Sequence, residues 1–335
     1  MFDQNIHRIG FACKIQESPG KANKDLNTSS TTIAWLNRQT RQAAYERLFS
    51  IAKSNLQAFY RQLQWVAKQP KHLRMFRITS DLFPAYTHDD YGWVYIEPEV
   101  QQLMISELAK CGAYAREHDI RLSFHPGQFC VLASDNPGIV DNSIFEFEYH
   151  VDIIRMMGYG REFQDFKCNV HIGGKMGPEG IRRVMPRLTR EAQNVLTIEN
   201  AEFSWGIDAS LELMNTCALV LDIHHHWIMS GEYIEPNDPR VQEIRESWRG
   251  VRPVIHYSVS REDVLEGFPP DDKPDIENCL RAGYTRAKLR AHSDYYWNQA
   301  ANQWAGSFRE DFDIMCEAKE KNLASFAFAK QLQKF

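Results

Sequence analysis

The chain has 335 residues, with 39 Lys and Arg against 44 Asp and Glu, so its formal net charge is −5. Hydrophobic residues make up 43% and charged residues 25%, a balance that excludes a disordered chain, a collagen-like repeat and a disulfide-stapled miniprotein. This length suits either two medium domains or one large α/β barrel, and the acidic balance argues at first sight against a nucleic-acid partner.

Seven cysteines (Cys13, Cys111, Cys130, Cys168, Cys217, Cys279 and Cys316) lie far apart without a CxxC, which reads as reduced, buried thiols. The start, MFDQNIHRIG, has no basic segment leading into an apolar one, and no uncharged apolar run approaches the ~20 residues of a membrane span. The expectation is a cytoplasmic protein, nucleoid-associated in a prokaryote, with no membrane or lipid anchor.

Short β-like runs alternate with helical ones along the chain. Arg8–Cys13 is the first predicted strand. The polar stretch Ser18–Thr32 reads as a loop. Thr40–Lys68 then carries Leu48, Ile51, Leu56, Phe59, Leu63 and Val66 at helical spacing. Strand two is Leu73–Thr79, followed by a helix near Glu97–His118 with Pro98 in its first turn. Strand three is Arg121–His125, with a helix near Asp141–Met157. Strand four is Asn169–Ile172, with a helix near Pro178–Glu191. Strand five is Val195–Glu199, with a helix near Ser210–Thr216. Strand six is Ala218–Asp222, with a helix near Pro239–Trp248. Pro253–Ser258 is strand seven. After a loop rich in proline near Glu266–Glu277, Asp313–Glu317 is strand eight, and a terminal helix starts at about Ala318. Eight strand–helix units predict one closed (β/α)8 barrel over 1–335, with long loops near 18–32 and 260–310. An open doubly wound sheet has the same alternation, but the GxGxxG turn and the P-loop lysine motif are absent.

In such a barrel the chemistry sits at the C-terminal ends of the strands. His88 follows strand two, His125 ends strand three, and His171 lies in strand four. Glu199 ends strand five and Asp222 ends strand six, before His224–His225–His226. His256 lies in strand seven, His292 in the loop beyond it, and Glu317 ends strand eight. Imidazoles and carboxylates crowded at one mouth repel or go unsatisfied unless cations neutralise them. A nitrogen and oxygen donor set without cysteine suits Zn, Mn or Fe, and so many ligands predict at least two divalent ions. Such a cluster serves in-line displacement at phosphorus, but sugar isomerases and epimerases on the same barrel also use divalent metals. In the histidine triplet, strict alternation after Asp222 would select His224 and His226.

RIGFAC, FRITSDLFPAYTH, LSFHPGQF, VHIGG, TIEN, VIHYS, AHSDYY and EAKEKNLA, in this order over about Ile9 to Leu323, resemble the UV damage endonucleases. The related endonuclease IV and xylose isomerase-like barrels share the architecture but not this motif set. The resemblance implies metal-dependent incision of damaged double-stranded DNA immediately 5′ to pyrimidine dimers and 6-4 photoproducts, leaving a 3′-hydroxyl and a 5′-phosphate. It implies a trinuclear site, usually of manganese, with Zn2+ or Mg2+ as alternatives. The implied ligands are His88, His125, His171, Glu199, Asp222, His225, His256, His292 and Glu317. Glu199, Glu317, His256 and Asp222 are expected to form the catalytic centre. Gln128 and Phe129 match the pair that probes the duplex at the lesion.

Three features depart from the family pattern. Val254 stands where the family commonly has a lysine. Phe11 and Ile15 replace a tyrosine and an asparagine, so Phe11 is expected to face DNA without a hydroxyl. Ala201 and Glu202 follow TIEN. Val254 keeps open a non-catalytic, lesion-binding reading. Arg281, Arg286, Lys288 and Arg290 cluster ahead of His292, so Arg286, Lys288 and Arg290 are candidate phosphate contacts, against the alternative of a solvated face. Tyr295–Trp297 and Trp304 suit base stacking or core packing equally. Tyr91 and Trp93 are expected on the surface. The protein is expected to act as a monomer.

Overall fold

The structure is a computed structural model that describes residues 2–333. Eight parallel strands close into a barrel: β1 (Ile9–Ala12), β2 (Met75–Arg77), β3 (Arg121–Phe124), β4 (Lys167–His171), β5 (Leu196–Glu199), β6 (Ala218–Asp222), β7 (Val254–Tyr257) and β8 (Asp313–Cys316). Each strand pairs with its sequence neighbours, and β1 closes the ring by pairing with both β8 and β2. All eight lie where the apolar runs predict them.

Period two divides every strand between two environments. Ile255, Tyr257, Ile198, Leu219, Leu221, Phe76 and Phe124 join the core shared with the surrounding helices. The alternate residues Met75, Ala218, Val220, Val254 and Met315 form a separate cluster. These come from strands that are not all neighbours, so they meet inside the barrel. Gly10 belongs to the same interior: a Cβ there would sit 2.8 Å from Met75 Cβ, so the lumen has no room for a larger residue. At the N-terminal end of the strands, buried Asp313 accepts from the Arg8 main chain (2.8 Å), Arg121 Nη1 (2.7 Å) and Arg252 Nε (2.8 Å). That network closes the floor. One step further along each strand, the inward row ends at the mouth on chemically active residues.

The long helix Arg41–Ala67 starts at Thr40, whose side chain accepts from Ala43 N–H, and buries Leu48, Ile51, Leu56, Phe59, Leu63 and Val66 as predicted. Pro98 opens the helix Pro98–Glu117. The helix expected over Pro178–Glu191 is broken. Gly177–Val184 gives way to a short 3-10 turn containing Pro186, and a new helix, Arg190–Val195, begins with Thr189 as its cap. Proline lacks the N–H needed to continue the helix, and the threonine restarts it. The expected loop over 18–32 contains part of a two-stranded hairpin, Gln16–Ser18 with Lys21–Ala22. The stretch over 260–310 carries three helices, Ile276–Arg281, Arg286–Leu289 and Gln299–Ser307. Asp275, Thr285 and Asn298 cap them, and in that polar, proline-interrupted sequence these caps mark helices that apolar periodicity does not. No helix among the described residues is long and apolar enough to cross a membrane.

Candidate metal centre

Three groups of donor atoms, each within 4.8 Å of one another, form at the C-terminal mouth: His125, His171 and Glu199; His125, His256 and Glu317; and Glu199, Asp222 and His225. Strand register brings them together, since His171 is level with Glu199 and Asp222 with His256. Glu199 is central. Its Oε2 lies 3.4 Å from His125 Nε2 and 3.1 Å from His256 Nδ1, and its Oε1 lies 3.4 Å from His225 Nδ1. Asn169 Nδ2 donates to Oε2, and Thr197 Oγ1, 2.8 Å from Asn169 Oδ1, fixes the orientation of that amide. His256 Nδ1 also lies 3.3 Å from Glu317 Oε1, the oxygen that accepts from Arg77.

Of the triplet, His225 is the one that joins a donor group. Asp222 ends β6 and at once caps the helix Ile223–Ser230, accepting from His225 N–H at 2.7 Å. Three residues along a helix is one turn, so His225 returns over Asp222, with Nδ1 3.7 Å from Oδ2. His224 instead stacks on Trp227, and His226 Nε2 pairs with Glu232 at 3.1 Å. Strand alternation fails here because the strand has already ended.

Despite these short approaches, Glu199 Oε1, Asp222 Oδ2 and His256 Nδ1 are buried and hydrogen-bonded to nothing. Buried polar atoms without partners are costly, and three at one point mark a place for a cation. The proton equilibria agree. Burial pushes His125 down to about 4, which leaves a neutral imidazole ready to ligate. Burial and the charges of Glu199 and Glu317 push Asp222 well above the usual carboxylate range, despite His225. His225 rises to about 9 because Asp222, Glu199 and Glu202 outweigh its burial. The rise at His225, made against its burial, reports surplus negative charge. Burial raises Glu199 too, but His256 and His171 hold it well below its ordinary value. Against burial, Arg77 and His256 do the same for Glu317. The donor set and its unpartnered atoms therefore fit divalent ions.

Neither His88 nor His292 joins the three groups. His88 is partly exposed on the loop after β2, where its Nδ1 accepts from Asp90 N–H at 3.2 Å and its ring lies against Tyr91. His292 Nδ1 is 2.7 Å from the Glu317 carbonyl oxygen, which sets it at the rim beside that ligand strand.

Gln128 and Phe129 form an exposed turn directly after His125, and Phe129 is 84% exposed. Phe11 corrects the expectation of a DNA contact. It is fully buried among Trp65, Phe76 and Phe326, because β1 turns it outward into the helix layer. Lys288 and Arg290 are exposed. Arg290 pairs with Glu202 at 2.5 Å, and Arg286 Nε donates to the Ile228 carbonyl. Tyr296 stacks on Tyr257 and Trp304 is buried, so packing accounts for those two rings. Tyr91 and Trp93 are half-buried, and Trp93 stacks on Tyr45 under Arg41.

Sequence reading missed Arg77, Lys167, Asn169 and Asn200. Lys167, Asn169 and His171 alternate along β4, a sign that all three face the lumen, but the predicted strand began too late to include Lys167. Val254 contributes only apolar packing. An amino group nevertheless reaches His256 from across the barrel: Lys167 Nζ lies 2.8 Å from His256 Nε2, and burial pushes it down to about 7. Asn200 pairs with the Asp222 main chain through both amide ends (2.8 and 3.0 Å), which ties β5 to β6 beneath the ligands.

The UV DNA damage endonuclease of Bacillus thuringiensis subsp. konkukian is 26% identical over 315 residues, spanning 90% of this chain and 87% of its own length. The crystal structure of SacUVDE matches 98% of each chain with a TM-score of 0.71 at 24% identity. Endonuclease IV from Thermus thermophilus matches 83% of this chain and 95% of its own with a TM-score of 0.51 at 13% identity. Both structures share the fold of this barrel. The model of the UV-endonuclease UvdE family matches residues 7–335, and the chain belongs to that family.

Proposed function

We propose that this protein is a metal-dependent endonuclease that nicks damaged duplex DNA immediately 5′ of UV photoproducts, leaving a 3′-hydroxyl and a 5′-phosphate. It acts as a monomer inside the cell, with three divalent ions, manganese foremost, at the barrel mouth. The observation that carries this reading is that Glu199 Oε1, Asp222 Oδ2 and His256 Nδ1, all from the donor groups at the barrel mouth, are buried without a hydrogen-bond partner.

His125, His171, Glu199, Asp222, His225, His256 and Glu317 would hold the ions, with His88 and His292 completing the set from the rim. Divalent ions supply Lewis acidity there, activating water for attack at phosphorus and offsetting charge on the phosphate oxygens. The protein's own part is placement. Asn169 holds Glu199, the helix cap holds His225 over Asp222, and Lys167 holds His256. At the rim, Phe129 and Gln128 enter where a lesion has weakened stacking, so selectivity follows the ease of deforming the duplex. Lys288 and Arg290 meet its phosphates. A small-sugar pocket does not require an aromatic ring that is 84% exposed.

The test is an oligonucleotide duplex carrying one pyrimidine dimer, incubated with protein and Mn2+, with the incision mapped to one nucleotide. A single cut directly 5′ of the dimer is expected. Cutting on the 3′ side, base release, or no cut across a range of pH and metals overturns the reading.

A further inference from the structure

A second group of charges stands beside the metal cluster, where β1 leaves the barrel. Ala12 is level with Arg77 on β2, and Cys13 N–H donates to the Arg77 carbonyl at 2.9 Å. On the other flank of β1, β8 delivers Glu317, and Arg77 Nη1 donates to its Oε1 across the exit. That contact uses one of the five donors of the guanidinium.

Four residues beyond Glu317 the terminal helix begins at Lys321. Its neighbours pin this residue to the same exit. Asn322 Oδ1 accepts from Gln16 N–H at 2.7 Å and Asn322 Nδ2 donates to the Gln16 carbonyl, while the Glu320 carboxylate accepts from Gly20 N–H at 3.0 Å. Between these anchors Lys321 has φ +51°, a left-handed conformation that glycine adopts freely and lysine only at a cost. A lysine kept in such a place points to a need for its side chain. Lys321 is half-buried, and among the described residues no carboxylate lies within 4.0 Å of its ammonium. Burial and the neighbouring charge of Arg77 push its ammonium down, against the pull of Glu317 and Glu320.

We propose that Arg77 and Lys321 form a phosphate subsite, which holds a phosphodiester of the DNA strand against the metal centre on the β1–β2 side. Arg77 and Lys321 stand at one exit beside Glu317 and Glu320, and with Glu317 committed to the ions one positive charge is left there for an anion. The planar fork of arginine suits two phosphate oxygens, and lysine adds a point charge. Arg77 joins this subsite to Glu317, so the strand's backbone and a metal ligand share one anchor. The inference rests on the nuclease reading above and assigns Arg77 and Lys321 as positioning residues within it.

The test compares the parent with Lys321→Gly and Lys321→Arg in steady-state nicking of a duplex containing one pyrimidine dimer, at several NaCl concentrations, alongside thermal melts and metal content. Lys321→Gly suits the backbone and removes the side chain together with its charge. It is expected to melt no lower than the parent, to keep its metal and its kcat within about twofold, and to raise KM about tenfold. Its dependence of log KM on log salt should be shallower by about one phosphate contact. Lys321→Arg is expected to recover most of the KM. An unchanged KM and salt slope in the glycine variant, or an arginine variant no better than glycine, overturns the subsite while leaving the nuclease reading intact. A parent protein that does not nick overturns both.

Discussion

Lys167 Nζ lies 2.8 Å from His256 Nε2, on the side of the imidazole away from Nδ1, which faces Glu199 and Glu317. The ring is thus held from beneath by an amine, with its other nitrogen presented to the cluster. The cost falls on the amine, which burial lowers from 10.5 to about 7. Between those two values the unfolded chain carries a proton on Lys167 that the folded chain does not. Stability of the metal-free protein therefore climbs as pH rises through this window, and the penalty is complete below about 7. Lys167→Met is expected to raise the melting temperature of the chelator-treated protein at pH 6, by an amount that fades towards pH 10. Thermal melts at both pH values check this, and a variant that melts below the parent at pH 6 contradicts it.

Glu199 belongs to two of the three donor groups. Glu199→Gln keeps the shape and removes the charge that both share. Bound metal should fall below the parent's stoichiometry, and nicking should drop on the order of a thousandfold. Elemental analysis of the purified protein and a plasmid-nicking assay measure the two effects. Full metal content in the variant would show that Glu199 is not a shared ligand.

Asp222 has two jobs that substitution can separate: it caps the helix Ile223–Ser230 and it offers Oδ2 to the cluster. Asparagine caps helices as well as aspartate, and alanine does not. Asp222→Asn and Asp222→Ala should both lose metal affinity. In metal-free denaturant unfolding, the alanine variant should be less stable than the asparagine variant by about 1 kcal/mol. Equal stabilities would mean that the cap does not hold His225 in place.

Phe129 is 84% exposed, so its removal should leave unfolding within about 0.5 kcal/mol of the parent. If the ring enters the weakened stack, Phe129→Ala should narrow the preference for damaged over undamaged duplex about tenfold. Competition binding between the two duplexes reads this directly, and an unchanged preference removes Phe129 from lesion sensing.

The eight strands were legible because parallel strands, buried on both faces, read as short apolar runs. Glu199, Asp222 and Glu317 stood out because a carboxylate ending such a run has few structural uses. His225 was ambiguous for a physical reason: the choice within the triplet depends on whether period two or period 3.6 governs the residues after Asp222, and the cap decides that. Phe11 was misassigned because it stands where the family resemblance implies a tyrosine facing DNA. Its side chain faces the other way, where Trp65 and Phe326 from the first long helix and the terminal helix enclose it. The acidic total of −5 also misled as a guide to the ligand, since local surplus charge around Asp222 and His225 calls for cations and the whole-chain sum does not describe the mouth.

The order of the eight barrel strands, the barrel, and most of the residues at its rim follow from sequence alone, because periodicity and strand-end chemistry are local. Only the tertiary structure decided which of those residues meet. Closure of the ring sets which alternate residues share the lumen, and so brings Lys167 on β4 to His256 on β7 and Arg77 on β2 to Glu317 beyond β8. Contacts across a closed barrel join residues 89 and 240 positions apart, and no local pattern records a distance fixed by the closure of the whole sheet.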